Sequence, residues 1–335
     1  MPSKEFGIWF PTIRCGTGAD VFTERLCAGL NAQGIRAEIC WLPLRAEYAP
    51  WTVALPTPPS WVTLAHVNSW LPTRFVPKKL PYIVTVHHCV HDKKYKTFKS
   101  FLQDVYHRCW IYRTEAECLR RARCVVAVSD YTSRITRHAF GISDIRVIYN
   151  GVNIHRFYPQ HRLAPHRPFR LLYVGNWTAR KGVDVLGPIL RRLGSAFELY
   201  YTEDRHGKHR QYALPPNCYN IGRPSIQDLI SAYQNSDALI FPTRLEGFGL
   251  VVVEAMACGL PTIVTRCSAL PEIVEHGVSG WLCENTVDAF VDACRKMAEP
   301  SVWCRMRREA RRRVELVFDE CRMIWNYIRL YESVL

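Results

Sequence analysis

Residues 238–259 constrain this chain more than any other stretch. Ala238-Leu239-Ile240-Phe241 is an apolar run of the kind buried on both faces of a parallel sheet. The chain then breaks at Gly247 and Gly249 and enters an apolar helical stretch that stops at Gly259. A strand, a glycine turn and a helix N-terminus form an anion site, because backbone N–H groups and the helix dipole point at whatever sits there. Glu246 lies at the turn, and Glu254 a little over two helical turns further on. A loop that attracts phosphate while holding two acids suits a ligand with both phosphates and hydroxyls, as a nucleotide sugar has.

The rest of the chain repeats the same alternation. Strand-like runs at Phe6–Phe10, Ala37–Leu42, Leu64–Val67, Tyr82–Val86, Cys124–Val128 and Arg146–Ile148 are separated by helical patterns, the longest from about Lys96 to Ala122. Ser129 or Asp130 caps the helix after the fifth run. Tyr158–Pro168 is rich in Pro, His and Arg, has no periodicity, and reads as a linker. The pattern restarts at Phe169–Val174, with strands at Phe197–Tyr201, Cys218–Ile221, Ala238–Phe241 and Pro261–Val264. At 335 residues the expectation is α/β with two Rossmann-like domains, 1–160 (with 318–335) and 161–317. Ligands of open parallel sheets bind at the carboxyl ends of the strands, so the active site is expected in a cleft between the domains.

Composition narrows the classes. No apolar run reaches the ~18 residues that span a bilayer, and Met1–Phe6 lacks a signal-peptide core. A cytoplasmic location follows by default. The 14 cysteines form no Cys-x-x-Cys pair, so buried reduced thiols are expected, Cys15, Cys27, Cys40, Cys124, Cys258 and Cys267 among them, and no structural zinc. Net charge is +14, with 21 Lys and Arg against 11 Asp and Glu in residues 1–160 and 23 against 19 beyond. That surplus fits an anionic partner for the first half, or simple solubility. The block Arg305–Arg313 reads as a solvated helix face, and no nucleic-acid partner is expected, since stacking aromatics and a binding motif are missing.

The motifs, taken in order, resemble one family. Glu246 and Glu254, with seven residues between them, resemble the paired glutamates of retaining glycosyltransferases of the GT-B fold, family 4 (glycosyltransferase group 1). Gly175-Asn176-Trp177-Thr178-Ala179-Arg180-Lys181-Gly182 resembles the family's Gly-Arg-x4-Lys-Gly loop, with Asn176 in the place of the first Arg. Its Arg-Lys-Gly ending also resembles lipopolysaccharide-core glucosyltransferases. Asn150-Gly151-Val152 with Phe157 and Pro159, Pro271-Glu272-Ile273-Val274 with Gly277 and Gly280, Thr85-Val86-His87, and Gly16-Thr17-Gly18-Ala19 resemble further family segments.

The resemblance implies the GT-B fold, two Rossmann-like domains facing across a cleft, with a C-terminal helix returning to the first. It implies transfer of a hexose from a nucleotide-diphosphate sugar, with retention, to an acceptor in cell-envelope polysaccharide, lipopolysaccharide or glycolipid synthesis. The alternatives are a non-hydrolytic epimerase or a non-catalytic nucleotide-sugar binder on the same fold. Lys181 and Arg180 would neutralise the donor diphosphate, where the leaving group gathers charge. Glu246 would accept the sugar's hydroxyls and Glu254 those of the ribose. Gly247, Phe248, Gly249, Leu250 and Val251 would hold sugar and diphosphate through the backbone, beside Gly175 and Asn176. His87, at a strand's carboxyl end, would approach the reacting centre, with His88 beside it. Gly16 and Gly18 would bring N–H groups to diphosphate or acceptor; the Gly-x-Gly-x-x-Gly dinucleotide fingerprint is missing, which disfavours an oxidoreductase. No Asp-x-Asp occurs, so cations are expected in place of a metal, and no cofactor. Glu272 either caps the next helix or meets ligand.

For a saccharide or lipid-linked acceptor, residues 93–113 matter most. Lys93, Lys94, Lys96, Lys99, Arg108 and Arg113 interleave with Phe98, Phe101, Tyr106 and Trp110. Phe98, Phe101 and Leu102 fall three and four apart, which fits a basic amphipathic helix. That helix either docks on an anionic membrane, as a peripheral protein at the inner face would, or is a core helix with a charged outer face.

Overall fold

The computed structural model describes residues 6–203 and 212–335. The expectation about a leader sequence rests on Met1–Glu5, outside the described residues. The chain divides into two compact units, Met1–Asn150 with Cys321–Leu335, and Gly151–Glu320. The linker-like segment 158–168 therefore belongs to the second unit.

The first unit is built on six parallel strands: β1 Ile8–Ile13, β2 Ala37–Leu42, β3 Leu64–Asn68, β4 Tyr82–Val86, β5 Cys124–Ala127 and β6 Arg146–Val147. Their order is β2-β1-β3-β4-β5-β6. The two-residue period of a strand sends Ile8 and Phe10 to one face and Trp9 to the other. On the first face Phe22, Leu26 and Leu30 of the helix Gly18–Ala32 pack with Met323, Ile324, Tyr327 and Tyr331 of the C-terminal helix Glu320–Val334. On the second, Trp9, Val67 and Val84 pack with Cys118 and Leu119. The C-terminal helix is also pinned by polar contacts. His66 Nδ1 meets the Tyr331 hydroxyl at 2.7 Å and Nε2 meets Thr85 Oγ1 at 2.7 Å, while Thr85 Oγ1 meets Tyr327 at 3.1 Å. Burying these groups costs little because each has a partner.

The expected long helix at 96–122 is broken. A 3-10 segment, Lys93–Phe98, ends at Lys99, and Ser100 caps a new helix from Phe101 with a hydrogen bond to the Gln103 N–H. A π turn at His107–Ile111 interrupts it before Tyr112–Arg121. Phe98 therefore does not share a helical face with Phe101 and Leu102. Ser129, not Asp130, is the cap after β5, accepting the Thr132 N–H at 3.0 Å.

The second unit has β7 Phe169–Tyr173, β8 Phe197–Thr202, β9 Cys218–Gly222, β10 Ala238–Phe241, β11 Thr262–Thr265 and β12 Gly280–Cys283. All pair in parallel, in the order β12-β11-β10-β7-β8-β9. The chain reverses its direction of growth between β7 and β10, which opens a crevice at their carboxyl ends. The basic block does more than face solvent. Arg311 donates to the carbonyls of Ile154, Phe157 and Ala257, at 3.1, 2.7 and 2.7 Å. Arg307 reaches Gln160 O and Arg313 reaches Ile273 O and Glu272 O. Four of the six thiol expectations also change: Cys15 is exposed, and Cys40, Cys124 and Cys267 are half-buried, while Cys27 and Cys258 are buried.

Candidate functional site

Two loops meet at the crevice of the second unit. After β7, residues 174–178 lead into a 3-10 turn, Ala179–Lys181, and Gly182 starts the helix Val183–Leu193. After β10, residues 242–249 turn into the helix Leu250–Ala257. The loops touch through Gly182, whose φ is +75° and whose missing Cβ would stand 2.6 Å from the Pro242 carbonyl carbon. Backbone bonds lock the same contact: Arg244 N–H donates to Arg180 O at 2.8 Å. Arg244 also forms a two-pronged pair with Asp184, both bonds 2.7 Å, so the turn is anchored to the helix behind it.

This arrangement brings the predicted residues together. Lys181 Nζ donates to Glu246 Oε1 at 2.6 Å, and Arg180 Nη1 lies 3.7 Å from the same oxygen while donating to Leu245 O at 2.8 Å. Thr243 Oγ1 donates to Oε1 at 2.8 Å. Burial alone would raise the Glu246 carboxyl. The charges of Lys181 and Arg180 and the bonds from Lys181 and Thr243 outweigh burial and hold it below the usual carboxylate range. All these contacts fall on Oε1, so Oε2 is the atom left to accept from a ligand hydroxyl. Lys181 also sits 5.0 Å from the centre of the Phe241 ring, which further fixes its stem.

The glycine turn delivers a helix end to the same place. Gly249 (φ +111°) is the N-cap of Leu250–Ala257, and no side chain caps that N-terminus. Gly247 and Phe248 are buried in the turn, and Leu250 and Val251 form the first helical positions. Glu254 is buried, not a helix-surface acid, and accepts the Tyr233 hydroxyl at 3.3 Å. On the facing loop the Gly175 N–H donates to Thr202 Oγ1 at 3.0 Å. The Asn176 side chain is exposed, while its carbonyl accepts the Tyr173 hydroxyl at 3.0 Å. Glu272 lies inside the short helix Leu270–Ile273 and is not its cap, a place held by Ala269. Sequence reasoning missed Thr243, Thr202 and Ser268; their hydroxyls act on partners up to 27 residues away, and no local pattern marks them.

In the first unit, His87 follows β4. Its Nε2 meets Asn68 Oδ1 at 3.0 Å, and Asn68 Nδ2 donates to Thr12 Oγ1 at 2.9 Å, a chain across the carboxyl ends of β4, β3 and β1. Its ring packs edge-on against Phe22, centroids 4.7 Å apart, and burial pushes its imidazole down to about 4. His88 packs instead against Tyr95. In the glycine loop, Gly16 already has a partner. Asp20 Oδ2 accepts the N–H of Cys15 at 2.9 Å and of Gly16 at 2.6 Å, so these donors are engaged within the loop. Gly18 opens the helix Gly18–Ala32.

Residues 168–299 match the family described as "Glycosyl transferases group 1", and residues 54–156 match "Glycosyltransferase Family 4". An uncharacterized glycosyltransferase of Methanocaldococcus jannaschii is 36% identical over 141 residues, which take in 41% of this chain and 39% of that protein. The chain thus spans well under two thirds of that relative's length. Among solved structures, a sucrose-phosphate synthase from Thermosynechococcus elongatus superposes with a TM-score of 0.79 at 19% identity, over 97% of this chain and 98% of the other. HepE of Anabaena, solved with UDP and glucose, gives 0.72 at 17% identity, over 98% and 100%. At such identities these likenesses show a shared fold, the GT-B fold. No helix among the described residues is long and apolar enough to cross a membrane.

Proposed function

We propose, for a chain that belongs to the group 1, family 4 glycosyltransferases, that the second unit binds a nucleotide-diphosphate hexose and that the sugar is transferred with retention to a cell-envelope saccharide or glycolipid. The observation that carries this is the Lys181–Glu246 contact of 2.6 Å at the carboxyl ends of neighbouring strands. A lysine and a glutamate held there by Arg180 and Thr243 can serve one ligand with two chemistries. The ammonium and guanidinium offset charge on the diphosphate as it departs, in a partly buried site where such charges act strongly. Glu246 Oε2 accepts from sugar hydroxyls, and the uncapped helix N-terminus after Gly249 favours the phosphates. Glu254 takes the ribose hydroxyls. The structural neighbour solved with UDP and glucose supports a donor of that class.

Two cations next to the leaving group do the work a metal would do, so transfer proceeds without one. Retention follows from attack on the face the diphosphate leaves, with a phosphate oxygen taking the acceptor's proton. Measurement of donor turnover with and without candidate acceptors separates a transferase from an epimerase, which would release free sugar without an acceptor. Lys181→Ala is expected to cut transfer by about 10²-fold, as for loss of one transition-state donor. A Lys181→Ala or Glu246→Gln variant with full transfer would overturn the assignment.

The acceptor side is proposed to meet an anionic membrane through the region 93–113. Phe101 and Leu102 are 81% and 79% exposed, and Leu44, Tyr48, Trp51 and Leu55 are exposed as well. Trp110 Nε1 donates to Glu47 O at 2.7 Å and its ring meets Trp51, which joins the two segments into one surface. Lys93, Lys94 and Lys96 are exposed beside them. Exposed large apolar groups bordered by cations fit a headgroup boundary. Phe101→Glu with Leu102→Glu should abolish co-sedimentation with anionic vesicles; equal binding to neutral and anionic vesicles refutes the proposal.

A further inference from the structure

Among the described residues, Ser268 is the one residue other than glycine with a left-handed backbone, φ +46°. A side chain there crowds the following carbonyl, a cost glycine would avoid. Ser268 stands three residues past the end of β11, next to the turn that carries Glu246. Its hydroxyl accepts the Glu246 N–H at 2.9 Å and donates to Cys267 Sγ at 3.5 Å. The Cys267 thiol donates in turn to Thr243 O at 3.2 Å, and Thr243 Oγ1 donates to Glu246 Oε1 at 2.8 Å. The four bonds close a ring. The loop after β11 therefore holds the main chain at Glu246 directly and, through Cys267, the carbonyl of Thr243, whose hydroxyl meets the Glu246 carboxylate; serine is the residue in this loop whose hydroxyl reaches that N–H.

We propose that Ser268 is a positioning residue: its hydroxyl fixes the Glu246 backbone so that Oε2 points to the donor sugar, and the strained backbone is the consequence of keeping a hydroxyl at that spot. The proposal rests on the assignment of Glu246 to the donor sugar. It differs from a packing role in a measurable way, because rate should follow the hydroxyl while stability follows the backbone.

Ser268→Gly and Ser268→Ala both remove the hydroxyl, but only alanine keeps the left-handed strain. The glycine variant should melt about 2–4 °C above the alanine variant. Turnover of the donor sugar should nevertheless fall in both by about tenfold, the effect of one hydrogen bond left unmade. Affinity for UDP alone, which has no sugar for Glu246 to hold, should stay within about twofold of the parent in both. Turnover that recovers in Ser268→Gly along with its melting temperature would show a packing role and overturn the proposal. Glu246→Gln is measured alongside. If it loses turnover while both Ser268 variants keep it, the positioning role fails and the donor site stands. If Glu246→Gln also keeps full turnover, the donor assignment fails and the proposal with it.

Discussion

Gly182→Ala tests whether the contact between two loops builds the site. At φ +75° and ψ +21°, alanine costs about 1 kcal/mol from its own backbone. The new Cβ would also stand 2.6 Å from the Pro242 carbonyl carbon and closer still to its oxygen. Backbone cannot swing aside like a side-chain tip, so the loops must part by roughly 1 Å, at about 2–3 kcal/mol for overpacking of this kind. The total is about 3–4 kcal/mol. Parting also strains the Arg244 N–H bond to Arg180 O and moves Lys181 off Glu246, and misplacement of about 1 Å can cost 10²-fold in rate. Gly141→Ala is the control. Its backbone is nearly the same, φ +68° and ψ +27°, but nothing lies within 4 Å of a Cβ there. Urea unfolding followed by fluorescence, with transfer assayed on the folded fraction, should show about 1 kcal/mol and unchanged rate for the control. Equal losses in the two variants, or a fully active Gly182→Ala, would refute the idea that this contact sets the site.

Three further outcomes are expected. Burial lowers His87 from 6.5 to about 4, and burial and then the His87 charge lower His66 to about 3. Both imidazoles are depressed by folding, so their contribution is complete above pH 6.5 and is lost as pH falls toward the folded values; each should cost about 2 kcal/mol between pH 6.5 and 5, and a urea midpoint of the first unit that stays flat over that window refutes this. Glu246 behaves alike at lower pH: its held-down carboxyl stabilises the second unit above the ordinary carboxylate range, and Glu246→Gln should flatten the acid limb of that unit's unfolding profile. Arg311→Ala should destabilise the second unit by about 3 kcal/mol, since the carbonyls of Ile154, Phe157 and Ala257 lose a charged donor, and Arg311→Lys should not rescue it, because a point charge cannot replace a planar fork; an unchanged melting temperature in Arg311→Ala would disprove that role.

The parts of the site that the sequence could carry are those with a local signature. Apolar β10, the glycines at 247 and 249 and the apolar helix after them are set by neighbours within a few residues, because φ freedom, strand period and helix caps are short-range properties. The glycine- and lysine-bearing loop after β7 and His87 at the end of β4 were legible for the same reason, helped by resemblance. The exposure of Phe101 and Leu102 was not, since a periodic pattern does not tell a core face from a free one, and a serine cap at Ser100 broke the helix that the pattern implied.

What the tertiary structure decided is where those pieces meet. Lys181 and Glu246 are 65 residues apart and touch only because β10 lies beside β7 and not beside β9, a long-range pairing that no window of sequence encodes. Asp20 engages the Gly16 N–H within its own loop, and Ser268 enters the site by a hydrogen bond from a residue 22 positions away. The basic block that reads as a solvated face became a fastening, because Arg311 donates to the carbonyls of Ile154, Phe157 and Ala257. Sequence alone determined most strands and turns of this protein and the residue types at their ends, but not β12 or the break before Phe101; which ends face each other is a property of sheet order, and sheet order is settled by burial of whole faces at once.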